Sequence, residues 1–295
     1  MPASDADLAV ATSAAVTSSD SLARLASLGL VFWLAAAWIC AIVLAAALAN
    51  LLPLPSPTDM DMLERRASPS AAHWLGTDRL GRDMLARLIH GARISLTVGV
   101  LAPLIGLLIG GALGILAGYF RGGLETVVVG AVDVLLAFPP LVLALAVTAY
   151  LGQTIAHLTY IIGILSIPAF TRVARAATLS IAKREFILAA RAMGATEPRI
   201  LVRELLPNVV LPLLAFFLLA VAVTIVVEGA LSFLGLGVPP PAPSWGSMIG
   251  EGRESLEIAP GIAFLPAAAM FLTVLAFNVV GDTLRVVTDP RQAAL

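Results

Sequence analysis

The chain has 295 residues, 59% of them hydrophobic and only 13% charged, about half the roughly 25% charged fraction of soluble domains. With a mean hydropathy of +0.97, that composition excludes a soluble globular domain. The 18 basic and 19 acidic groups nearly cancel, so the position of the charges carries the information.

A bilayer core about 30 Å thick needs roughly 20 apolar residues at 1.5 Å per residue. Between Arg24 and Asp59 lie 34 uncharged residues, between Arg93 and Arg121 27, and between Asp133 and Arg172 38. Between Glu204 and Glu228 lie 23, and between Glu257 and Asp282 24. The 38-residue stretch is too long for one helix, and Leu151-Gly152-Gln153-Thr154 divides it with a polar, Gly-containing turn. Six spans follow: 28–51, 94–120, 126–150, 155–171, 209–234 and 260–282. The apolar residues run continuously instead of alternating, which excludes a β-barrel. The expected fold is an all-α integral membrane protein with six transmembrane helices.

Residues 1–27 are expected to form a disordered cytoplasmic tail and 289–295 a C-terminal tail. Ala47-Leu48-Ala49 has the small residues of a cleavage site. The apolar run before it is much longer than a signal-peptide core of about 7 to 15 residues, so the first span reads as retained. Cys40 within it reads as a small buried residue. With the N-terminus inside and six spans, eleven basic residues fall on the cytoplasmic side and seven outside, as the positive-inside rule requires. Both termini are then cytoplasmic. Six of the outer seven sit in the first outer loop with five acids, so that loop reads as a small folded element within 28–93.

The inner segment 172–208 holds seven basic residues and is helix-like. A helix is expected over 181–193, ended by Gly194, which permits a turn. A second short helix should follow, with Thr196 as N-cap, Glu197 and Pro198 in its first turn, and Pro207-Asn208 as its stop. From composition alone, an ordinary basic loop that fixes topology explains the segment equally well.

Within that segment Leu188-Ala189-Ala190, Gly194, Glu204 and Leu206-Pro207 resemble the cytoplasmic coupling loop of binding-protein-dependent ABC importer permeases. The family signature is Glu-Ala-Ala, three residues, Gly, nine residues, Ile, one residue, Leu-Pro. Leu188 stands for its Glu and Glu204 for its Ile, so those two side-chain roles do not transfer. The outer-loop run His73-Trp74-Leu75-Gly76-Thr77-Asp78-Arg79-Leu80-Gly81-Arg82-Asp83, then Gly91-Ala92-Arg93-Ile94-Ser95-Leu96, is similar to the C-type permease of dipeptide, oligopeptide and nickel importers. So are Leu231-Ser232-Phe233-Leu234-Gly235-Leu236-Gly237, Pro243-Ser244-Trp245-Gly246, Asp133 and Phe138-Pro139.

The resemblance implies a type I ABC importer transmembrane domain, with a core over 94–288 and its coupling loop at 172–208. It implies a homologous B-type permease, two cytoplasmic ATPase subunits, and a periplasmic or lipid-anchored solute-binding protein, in a bacterial inner membrane. Membrane lipids surround such a chain, and no nucleic acid is expected. The implied cargo is a di- or oligopeptide, with nickel or another small solute as the alternative. No cofactor is expected on this chain, since ATP and Mg would sit on the partners. The only lysine, Lys183, follows Ala182, so a phosphate-binding Gly-Lys loop is impossible here. The chain is therefore expected to be a non-catalytic subunit. Ala189, Ala190, Gly194, Leu206, Pro207 and Asn208 are the expected ATPase contacts, with Arg191, Arg199 and Arg203 paired to ATPase acids or simply solvated.

Asp133 and Glu228 lie in spans, where a carboxylate is expensive without water or a partner. They are candidates for the translocation path or ties between helices, evenly so for Glu228, whereas Asp133, eight residues past Glu125 and near the cytoplasmic edge, favours the tie. Gly106, Gly110, Gly114 and Gly118 recur every four residues and predict close helix packing. In the last outer loop, Trp245 and Met248 are candidates for an outer gate or for docking of a binding protein, with headgroup anchoring as the plainer role for Trp245. Asp78, Arg79, Arg82 and Asp83 suggest a local ion-pair scaffold, and Asp78 and Arg82 secondary docking contacts. His73, His90 and His157 show no ligand spacing, so no metal is expected. A proton-driven secondary transporter using the two intramembrane acids is the remaining alternative, and it leaves the cytoplasmic segment unexplained.

Overall fold

A computed structural model describes residues 28–288, so the two expected tails, with Arg24 and Arg291, lie outside the described residues. Those described form helices joined by loops, the longest running from residue 48 to 83, with one isolated bridge, Thr77 to Asp83. Among the described residues five helices are long and apolar enough to cross a membrane, or six if a pair bent by 77° is counted as one span.

Helix α1, Leu30–Ala47, has no charged residue and buries only Ala35 and Ala46. Trp38 Nε1 donates to Thr273 Oγ1 at 3.0 Å, and the Arg93 guanidinium donates to the carbonyls of Ala46 at 3.0 Å and Ala47 at 3.1 Å. Those carbonyls belong to a helix end with no intrahelical partner, so Arg93 both caps α1 and ties it to the next span. Cys40 is exposed on α1, not buried as its size suggested, because α1 touches the rest of the chain along a narrow strip only.

Helix α2, Met84–Phe120, starts ten residues before the predicted span. Asp83 supplies the start: its Oδ1 accepts the Ala86 N–H at 2.7 Å, a side-chain N-cap. The helix widens to a π-helical turn at Gly106–Gly110. A Cβ on Gly110 would lie 2.4 Å from the Ile167 carbonyl oxygen, and one on Gly114 2.4 Å from that of Thr171. The glycine stripe thus lets α2 lie directly against the backbone of α5, Ile155–Ile181, as the spacing predicts.

The predicted span 126–150 is broken into α3, Gly122–Leu136, and α4, Pro140–Leu151, which meet at 77°. Pro139 and Pro140 lack N–H groups for the helix ladder, and Phe138 before them is driven from helical geometry. Helix α5 runs ten residues past its predicted end, so Arg172 and Arg175 are helical, not part of a loop. Arg172 meets Asp133 at 2.7 Å and Arg175 Nε meets Glu125 at 2.8 Å, both on α3. These partners let charged residues continue the helix.

The expected helix 181–193 is also divided. A turn at Ala182–Arg184 separates α5 from α6, Glu185–Ala192. The second short helix is instead the beginning of α7, Glu197–Phe233, and Leu206-Pro207 does not stop it. Ile200–Leu205 is π-helical, and Pro207 falls in the first turn of the α-helical stretch that follows, where its missing N–H is tolerated. Asn208 Nδ2 donates to the Glu204 carbonyl at 2.7 Å and satisfies that acceptor. Thr196 occupies the N-cap position but its side chain caps nothing.

Helix α8, Trp245–Gly252, follows α7 and opens with a Ser244/Ser247 capping box, and α9, Gly261–Thr288, is the last helix among the described residues. Helices α2, α7 and α9 share a core of Leu96, Val221, Ile225 and Phe277, closed by Trp245. A second core under α6 joins Phe170, Ile187, Ala190, Ile200, Leu205 and Val209.

Candidate functional site

At one end of the helix bundle, α6 is a two-faced helix built on the second core. Ile187 is fully buried and Ala190 nearly so, which makes Ala190 a packing residue and not a surface contact as expected. Ala189, Gly194, Leu206, Pro207 and Asn208 are exposed. Phe186, Leu188 and Met193 join them, Met193 at 82% exposure. The signature spacing did not single out these three.

Gly194 has φ +80°, a region that Gly enters without steric cost. The Ala195 N–H donates to the Ala190 carbonyl at 3.1 Å and the Gly194 N–H to the Arg191 carbonyl at 3.0 Å, the paired bonds of a Schellman stop. Arg191 finds its partners inside the chain: its Nη2 lies 3.1 Å from the Tyr119 hydroxyl and 3.4 Å from Glu197 Oε2.

In the membrane, an apolar cavity of about 280 Å³ opens between α4, α5 and α7, lined by Pro140, Leu165, Phe170, Phe216 and Val223, with Ser166 and Thr224 as its hydroxyls. Neither predicted intramembrane acid lines it. Asp133 is half exposed and paired with Arg172. Glu228 is fully buried: Ser95 Oγ donates to its Oε2 at 2.8 Å and Ser232 Oγ to its Oε1 at 2.6 Å. The Trp245 N–H in turn donates to Ser95 Oγ at 3.3 Å. Glu228 therefore ties α7 to α2 and α8, which corresponds to the second of the two roles open to it.

The outer loop folds onto α8 through buried charges. Asp78 and Arg82 side chains are each 2% exposed and pair at 2.6 Å. Arg87, 1% exposed, meets Asp78 at 3.5 Å and Glu251 at 3.1 Å, and Arg82 also contacts Glu251. Arg79 reaches Glu254 at 2.7 Å. Asp78 and Arg82 are thus internal struts and not docking contacts. Trp245 and Met248 are likewise interior, with Trp245 Nε1 donating to the Leu88 carbonyl at 3.0 Å. Neither forms an exposed docking surface, and Trp245 does not reach the headgroups. Arg87, Glu251 and Glu254 escaped the sequence reading because their partners lie far away along the chain.

His73 adds a titratable latch, its Nδ1 2.8 Å from Asp83 and its Nε2 2.7 Å from Glu64. The Asp83 hydrogen bond holds His73 above the usual histidine range, against burial and with help from Glu64. A neutral imidazole has one N–H donor and satisfies only one of two carboxylates. Since the folded pKa is raised, the contribution is complete below the unfolded value of about 6.5 and is lost as pH rises through the folded value. We expect the unfolding temperature to fall across that window, and His73→Gln to flatten the profile. A wild-type profile matching that of His73→Gln would exclude the latch.

Residues 110–294 match the family model "Binding-protein-dependent transport system inner membrane component". The glutathione transport system permease protein GsiD of Pectobacterium atrosepticum is 44% identical over 241 residues, covering 82% of this chain and 80% of that protein. Its Escherichia coli O6:K15:H31 namesake is 45% identical over 223 residues, covering 76% of this chain and 74% of that protein. Among solved structures, an inward-facing MetNI methionine ABC transporter chain superposes with a TM-score of 0.59 at 20% identity, covering 70% of this chain and 98% of its own. That last likeness concerns fold, and it agrees with a type I importer membrane domain. Together with the helical architecture, these matches establish that the chain belongs to the binding-protein-dependent transport system inner membrane components, as a permease of the peptide and nickel branch of ABC importers.

Proposed function

We propose that this permease carries glutathione or a short peptide of similar size inward across a bacterial inner membrane, paired with a B-type permease. ATP, with Mg, is hydrolysed on two cytoplasmic ATPase subunits, and an outer binding protein delivers the solute. Both termini face the cytoplasm, which places eleven of the 18 basic residues inside. The cargo assignment rests on the named relatives, and the coupling assignment rests on α6. The observation that carries the coupling is an eight-residue helix anchored by Ile187 and Ala190 that presents Phe186, Leu188 and Ala189 outward, with Met193 exposed at its C-cap. An amphipathic helix of this kind suits a groove on an ATPase, and closure of two ATPases then moves α5 and α7, which flank it, as rigid bodies.

Gly194→Pro tests this reading. Proline holds φ near about −65°, whereas the turn needs +80°, so α6 must leave its position. In proteoliposomes holding both permeases, the ATPases and the binding protein, we expect normal assembly with ATPase stimulation and glutathione uptake reduced to background. Uptake that persists without any ATPase subunit and follows a proton gradient would overturn the importer mechanism. Nickel uptake in place of glutathione uptake would overturn the cargo.

A further inference from the structure

Three elements meet at one hydroxyl on the cytoplasmic side. Tyr119 stands in the last turn of α2, Arg191 in the last turn of α6 and Glu197 in the first turn of α7. The Tyr119 hydroxyl donates to Glu197 Oε2 and accepts from Arg191 Nη2 at 3.1 Å. Arg191 also lies 3.4 Å from the same carboxylate oxygen, and its guanidinium carbon sits 5.9 Å from the centre of the Tyr119 ring. The ring itself packs on the core that contains Ile187, Ala190 and Ile200.

We infer that Tyr119 is a positioning residue for coupling, clamping the Gly194 turn between α6 and α7 to the end of α2. The inference rests on the importer reading above. Gly194 lies between Arg191 and Glu197, and the Schellman bonds of the turn run only back to Ala190 and Arg191 of α6. The clamp adds a tie from the turn to α2, because one phenolic oxygen bonds both sides of the turn at once. Its consequence is mechanical. A displacement of α6 is delivered to α2, and through the glycine stripe to α5, along a continuous set of contacts. Arg191 and Glu197 are half exposed, and exposed pairs of this kind contribute little to stability. The clamp therefore sets geometry and leaves the fold's stability nearly unchanged.

Tyr119→Phe removes the hydroxyl and keeps the ring. Two readouts separate the clamp from the cargo. In the complete reconstituted transporter with Cys40→Ser, spin labels at the exposed Gly123, just past the end of α2, and Thr196 report the distance distribution between α2 and the Gly194 turn. We expect a single narrow distribution in the unsubstituted background and a visibly broadened one in Tyr119→Phe, with the unfolding temperature unchanged. Without labels, the ATP hydrolysed per glutathione taken up should rise about threefold, the scale of one exposed interaction. Glu197→Ala should reproduce both effects, and the double variant should be no worse than either single one, since all three residues share one contact. An unchanged distance distribution, an unchanged ratio in a transporter that takes up glutathione, or additive losses in the double variant would each overturn the clamp. A wild-type complex that takes up no glutathione refutes the cargo, and the distance distribution then decides the clamp by itself.

Discussion

Glu251→Ala is expected to lower stability by about 3 kcal/mol, at the lower end of the cost of removing one partner from a buried ion pair. The carboxylate of Glu251 serves Arg82 and Arg87 together, and both guanidinium groups are almost wholly inaccessible to water. Without Glu251, two buried positive charges face Asp78 alone. The side chain of Glu251 keeps 21% exposure, so water can reach the vacated place, and this puts the loss at the lower end. The position of the cluster determines how the damage spreads. Asp78 and Arg82 hold the outer loop, Glu251 belongs to α8, and beneath them Met84, Met248 and Ile262 form a small apolar core. We expect the outer loop to come away from α8, giving a lower unfolding temperature in detergent and protease cleavage within 59–83 before the spans open. Glu251→Gln retains an acceptor and should lose less than Glu251→Ala. Equal stability of the wild type and Glu251→Ala would mean that the four charges do not act as a strut.

Gly114→Leu should be the most damaging single change in the membrane core. A Cβ there would lie 2.4 Å from the Thr171 carbonyl oxygen, 2.6 Å from the Ala174 Cβ and 2.9 Å from the Arg175 amide nitrogen. Two of these neighbours are backbone atoms of α5, so no rotamer change relieves the clash and the helices must separate. Overpacking a core costs about 1–3 kcal/mol and occasionally more, and this site belongs at the upper end. Separation also withdraws Arg175 from Glu125 and Arg172 from Asp133, freeing α3. The expected outcome is little or no folded protein in the membrane fraction, read by size-exclusion chromatography of a fluorescent fusion. Gly123→Ala is the matched control, because nothing lies within 4 Å of a Cβ at that position, and it should accumulate like the wild type. A monodisperse Gly114→Leu protein would show that α2 and α5 are not packed along the glycine stripe.

Much of the architecture was legible from charge alone. Uncharged stretches report hydrophobic length directly, and a bilayer accepts few alternatives to a helix for such a stretch. The glycine stripe was legible for a related reason, since four-residue spacing places small residues on one face whatever the neighbour. Helix ends were less legible. The predicted boundaries followed charged residues, yet Arg172 and Arg175 continue α5 because Asp133 and Glu125 stand opposite them on α3. Pro207 reads as a stop, yet it is absorbed where a π-helical turn meets the α-helix of α7.

For the candidate site, the Gly194 turn and the outward position of Ala189 followed from local rules of helix termination and periodicity, which act over a few residues. The Asp78–Arg82 pair was expected as part of a local ion-pair scaffold, but the roles of Glu228, Trp245 and Arg191 and the second partner of Arg82 were not. Each is decided by a partner far off in the chain: Ser95 for Glu228, Glu251 for Arg82, the Leu88 carbonyl for Trp245, Tyr119 for Arg191. A buried polar group must find such a partner or incur a large desolvation cost, and sequence spacing does not say which distant residue supplies it. Composition and hydropathy alone thus determined that this chain crosses the membrane on helices, because transfer from water to lipid depends on local composition. Packing decided which of its charged residues face outward and which hold the helices together, because that depends on which surfaces meet.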